Sequence, residues 1–204
     1  MFLLLILALN FCVSWFTCYS VGGIWTESKA LGGFVRVLAW CGAIQAAIGF
    51  SSVIGFLIGY ALFATGHLPA RVANGAVSLW YLIVIVPLLG TGLIITIQSW
   101  IVAFRERRLT DMGVAAYNTF AQIHNMYGAV DGIGKALGGV GDLFKGDSDD
   151  NSALPVILAV GLVVVALGGG ILLTWLLIKR YAGRLPVPRK TDVYMAERMR
   201  AAGR

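Results

Sequence analysis

Apolar residues run along this chain in four long blocks rather than in short alternations. Phe2 to about Tyr19 carries no charge, Phe34 to Thr65 carries only Arg36 near its start, and Asn74–Phe104 and Pro155–Ile178 carry none. A helix rises about 1.5 Å per residue, so about 20 apolar residues cross the roughly 30 Å hydrocarbon core of a bilayer. Backbone polar groups in lipid must be satisfied within their own segment, which selects helices. The pattern predicts an all-α, polytopic membrane protein with four transmembrane helices.

The first block has the hydrophobicity of a secretory leader, but no basic residue precedes it and no clear small-x-small cleavage site follows. Trp15, Phe16 and Tyr19 at its far end fit an interfacial aromatic belt, so it reads as an uncleaved first span. The second and third blocks, about 31–32 residues each, would measure about 46–48 Å and must tilt or project beyond the bilayer. Pro87 removes a backbone donor inside the third block and predicts a kink near Ile83. The short link Gly66–Arg71 makes these two helices an antiparallel hairpin.

Between the third and fourth blocks the pattern changes. Phe120, Ile123, Tyr127, Val130, Gly134, Leu137, Gly141 and Phe144 recur at steps of three and four, the seam of an amphipathic helix over about 110–145. Asp131 and Lys135 stand four residues apart away from that seam. The segment is rich in glycine, and each interior glycine costs about 0.8–1 kcal/mol relative to alanine. Such a helix needs a surface: the membrane interface, the spans of its own chain, or a neighbouring subunit. The leading expectation is an interfacial or partner-docked helix; a membrane-perturbing element and a flexible linker are the alternatives. Residues 146–152, reading GDSDDNS, form a polar turn.

Composition sharpens the class. Of 204 residues, 58% are hydrophobic and 13% charged, with a net charge of +6 and 26 glycines. A water-soluble domain this apolar could not cover its surface with polar groups. The glycines lack a three-residue period, which excludes collagen, and the apolar content excludes disorder. The chain divides into a three-helix membrane region (1–104, spans about 2–19, 34–65 and 74–104), a charged glycine-rich segment (105–154), a fourth span (155–178) and a basic tail (179–204).

Eight of the 16 basic residues lie in that tail, which the positive-inside rule assigns to the cytoplasm. With four spans Arg71 joins them, giving nine basic residues inside against seven outside. Arg105, Arg107 and Arg108, beside a helix end, fall on the outer side and oppose the rule. Both basic clusters become cytoplasmic only if one more segment crosses or one span fails.

The most informative motif is in the second span. Ala39, Ala43, Ala47, Ser51, Gly55 and Gly59 are small residues at strict four-residue spacing, closing on a GxxxG step. They form a shallow groove along one helix face, where close backbone approach drives association in lipid. Packing within the chain and a subunit interface are equally compatible with it. Ala166 and Gly170 repeat the spacing once in the last span.

Chemistry-bearing constellations are missing from the pattern. Gln45, Thr91, Thr96, Gln98 and Ser99 are the notable polar groups within the spans and read as interhelical hydrogen-bonding groups. Cys12, Cys18 and Cys41 have no metal-type spacing, and His67 and His124 stand apart. Asp147, Asp149 and Asn151 imitate the opening of a calcium loop but lack its central glycine and closing glutamate. No nucleophile has a base in sequence register with it. No enzymatic activity, cofactor, metal or nucleic-acid partner is expected. In the tail, Lys179, Arg180, Arg184, Arg189 and Lys190 suit anionic headgroups or a cytoplasmic partner, and Asp192 can cap a short helix to Ala202.

The expected function is a non-enzymatic multi-pass subunit, partnered by the lipid bilayer and by other membrane protein subunits including copies of itself, in a larger membrane complex or envelope. A fusion or permeabilising protein using residues 110–146, and a passive oligomeric channel, are the alternatives.

Overall fold

The computed structural model describes residues 2–31, 33–145 and 153–182. They form five helices: α1 (Phe2–Leu31), α2 (Gly33–Ala64), α3 (Ala70–Glu106), α4 (Leu109–Phe144) and α5 (Leu154–Tyr181). Among the described residues there is no strand. Four helices, α1, α2, α3 and α5, are long and apolar enough to cross a membrane, as an integral membrane protein requires.

The helix limits follow hydrogen bonding rather than the loss of apolar character. Helix α1 continues to Leu31, well past the end of its apolar block near Tyr19. Helix α3 runs unbroken through Pro87, whose carbonyl accepts a bond from Thr91 Oγ1 at 2.6 Å.

Helix α2 ends at a glycine. Gly66 adopts φ +75°, His67 N–H reaches the Leu62 carbonyl at 2.9 Å, and Gly66 N–H reaches that of Phe63 at 3.0 Å. This paired closure satisfies the last carbonyls of a helix and reverses the chain within a few residues. Leu68 then tucks into the core and Pro69 opens α3. The α3–α4 link is shorter still. Arg107 takes the left-handed conformation at φ 51°, its N–H bonds the Ala103 carbonyl at 2.9 Å, and Arg108 is extended before α4.

Successive helices run antiparallel. Asn10 of α1 donates to Ser52 of α2 at 2.7 Å, and Val21 lies where a side chain at Gly42 would project, so the two chains run in opposite senses. Gln45 of α2 reaches Thr91 of α3, and Trp80 of α3 reaches Ser51 of α2, with the same consequence. Helix α5 returns along α2 and lies parallel to α1, where Trp15 Nε1 donates to Tyr181 Oη at 3.1 Å. Two apolar clusters hold the bundle. One joins Cys18, Val21, Ala39, Ala43, Ala46, Phe50, Leu177 and Ile178; the other joins Leu68, Val72, Ala76, Leu143, Ala159 and Val163.

Candidate functional site

Among the described residues no group of three or more His, Cys, Asp and Glu could hold a metal ion, and the closest approaches in the fold are between helices. The small-residue groove of α2 is occupied by α5 of the same chain. A Cβ at Gly170 would stand 2.5 Å from the Ala47 carbonyl oxygen and 2.7 Å from Ser51 N, so the two backbones touch there. A Cβ at Gly55 would meet Ala166 Cβ at 3.0 Å, and one at Gly59 would meet Leu162 at 3.6 Å. Ala39 and Ala43 are buried in the cluster shared by α1, α2 and α5. The short Ala166–Gly170 repeat is therefore the counterpart of the long one. Small residues allow this approach, and dispersion between closely packed backbones favours the contact.

The second surface is the α3–α4 seam. Ala115, Gln122, Ala129, Ala136 and Leu143 are the buried residues of α4, at strict seven-residue spacing. That repeat keeps one line of side chains against a neighbouring helix. Polar contacts follow the same line. Trp100 Nε1 donates to Thr119 Oγ1 at 2.8 Å, Thr96 Oγ1 to the Asn118 carbonyl at 3.3 Å, Gln122 Nε2 to the Leu89 carbonyl at 3.0 Å, and Tyr81 Oη to the Gly128 carbonyl at 3.0 Å. At the far end the Arg71 guanidinium donates to the carbonyls of Asp142 and Leu143, capping the open end of α4.

Glycine makes this closeness possible at particular places. A side chain at Gly132 would strike the Tyr81 ring, one at Gly75 would strike Leu143, and one at Gly92 would strike the Gln122 amide.

The large apolar stripe read from the sequence lies on the face of α4 that is not packed against α3. Phe120, Ile123, Tyr127, Val130, Leu137 and Phe144 are 47–81% exposed and point away from α3. The docked face is the line of small residues, because small side chains let helix backbones approach while large ones would hold them apart. Beside the stripe, Lys135 Nζ and Asp131 Oδ2 form an exposed ion pair at 2.6 Å. A Cβ at Gly134, Gly138 or Gly141 would meet nothing within 4 Å, so this part of α4 presents bare backbone outward.

The polar groups noted within the spans find partners mostly inside the bundle. Gln45 Nε2 lies 3.3 Å from Thr91 Oγ1, Thr91 and Thr96 also bond carbonyls of their own helix, and Ser99 bonds the Thr96 carbonyl at 2.7 Å. Gln98 Oε1 is buried without a hydrogen-bond partner. The inward role of Gln122 was missed from sequence, although its place in the repeat with Ala115, Ala129 and Ala136 was visible.

The cysteines are all free thiols, with Cys18 and Cys41 buried and Cys12 exposed. Lys179 and Arg180 occupy the last turn of α5 and are exposed. Arg184, Arg189, Lys190, the segment capped by Asp192, and the polar stretch 146–152 lie outside the described residues. Comparison of the chain with protein-family models, curated proteins and solved structures finds no match.

Proposed function

We propose that the chain is a non-enzymatic, multi-pass membrane subunit that associates laterally with other membrane protein subunits, copies of itself among them. The observation that carries this reading is the outward face of α4. There Gly134 and Gly138 leave backbone uncovered beside the exposed Asp131–Lys135 pair. Lipid chains solvate an ion pair poorly, whereas a second helix drawn close over the two glycines would cover both features. The α2 groove is filled by α5, whereas the glycine face of α4 is uncovered.

The test is native mass measurement after extraction in mild detergents. An oligomer or a complex with other subunits is expected, and Gly134→Leu with Gly138→Leu should shift the population towards monomer. A solitary monomer across several mild detergents would overturn the reading.

The fusion and channel alternatives draw no comparable support. Helix α4 is tied to α3 by Arg71, Tyr81, Trp100 and Gln122 side chains. The hydroxyls of Thr96 and Ser99 donate to carbonyls of their own helix.

A further inference from the structure

We infer that α4 is a fifth membrane-crossing segment, so that the start of α1 and the basic tail lie on opposite sides of the bilayer. The geometry begins at the turn. Arg107 and Arg108 alone separate α3 from α4. From there α4 follows α3 back along its whole length: Trp100 meets Thr119, Thr96 meets Asn118, Tyr81 meets Gly128, and Arg71 in the first turn of α3 caps the last turn of α4. Helix α3 has 37 residues and α4 has 36, so each is about 54–56 Å long. Where α3 crosses, the two ends of α4 must lie beyond opposite faces of the membrane.

Composition alone hides this crossing, because glycine and amides dilute the apolar signal of α4. Yet Met112–Val130 contains no Asp, Glu, Lys or Arg, and 19 residues of helix measure about 28 Å. Gln122, the most central amide, faces α3 and donates to it. Asp131 and Lys135 neutralise one another at 2.6 Å, which lowers the cost of holding them near lipid.

Charge supplies an independent argument. With five crossings and the tail in the cytoplasm, Lys29, Arg36, the Arg105–Arg108 turn and the eight tail residues fall inside. Only Arg71, Lys135 and Lys145 fall outside. Thirteen against three obeys the positive-inside rule, where the four-span arrangement gives nine against seven. The acidic stretch Asp147–Asp150 then lies outside, and Arg105, Arg107 and Arg108 cease to be an exception. The crossing is the same whether the protein is monomeric or assembled.

The experiment uses sealed, right-side-out membrane vesicles carrying the full chain and a membrane-impermeant maleimide, with the unsubstituted chain as the blank for its own thiols. Thr110→Cys and Lys145→Cys place probes at exposed positions near the two ends of α4. Lys145→Cys should label from outside, and Thr110→Cys only after permeabilisation. Labelling of both from one side overturns the fifth crossing, and labelling on opposite sides in the reverse sense overturns the orientation. Trypsin added to the unsubstituted chain gives a readout free of any substitution. Cleavage at Arg105, Arg107 or Arg108 should require permeabilisation, and cleavage in intact vesicles refutes the assignment.

Discussion

Gly170 shows how a single hydrogen in place of a methyl group fixes the distance between two helices. The atoms facing its missing side chain are backbone or close to it: the Ala47 carbonyl oxygen, Ser51 N and Ser51 Cβ, all within 2.8 Å of an added Cβ. Backbone cannot swing aside as a lysine tip would, so α2 and α5 must separate to admit any larger residue. Gly170→Leu should destabilise the fold by about 1–3 kcal/mol, as overpacking does elsewhere. Gly168→Leu, two residues away in open space, should be close to neutral. Thermal unfolding of both variants in one detergent checks the contrast, and equal losses would remove the steric account. The spacing of the α2 groove was legible in the sequence. Its occupant was not, since spacing specifies a close approach without saying which helix makes it.

The α3–α4 hairpin is built from weak parts that agree with one another. Helix α4 carries seven glycines between Leu109 and Phe144, enough to make it marginal in isolation. What holds it is a set of contacts along α3 from Trp100 to Arg71, five buried residues at heptad spacing, and a guanidinium clamp at its open end. Arg71→Ala should free two terminal carbonyls, cost about 1–2 kcal/mol locally, and speed amide exchange over 139–145 while leaving 112–125 unchanged. Uniform acceleration along α4 would mean that the clamp serves the whole hairpin. The existence of this helix was legible from the three-four recurrence of large apolar residues. The face it packs on α3 was not, because Phe120, Tyr127 and Phe144 mark the apolar face, whereas the close contact is made by Ala115, Ala129 and Ala136. The uncharged apolar block ends near Tyr19 while α1 continues to Leu31, because helical hydrogen bonding does not require apolar side chains.

At the scale of the whole molecule, the chain folds as an alternating bundle whose first and last helices are neighbours. Four long apolar helices and the all-helical class could be read directly from the blocks of the sequence. Their arrangement could not, because the contacts that decide it join residues as distant as Trp15 and Tyr181. That closure has a consequence for biosynthesis. Helices α1 to α4 leave the ribosome before α5 exists, and until then the furrow from Ala47 to Gly59 lacks the helix that fills it. An unfinished chain therefore carries a vacant, adhesive track that the finished one conceals. A chain stopped at residue 152 should pair with its twins through that track, seen as dimers on gentle electrophoresis, and Ser51→Leu should abolish the pairing. The last helix would then act as an internal chaperone, arriving late to cover that furrow.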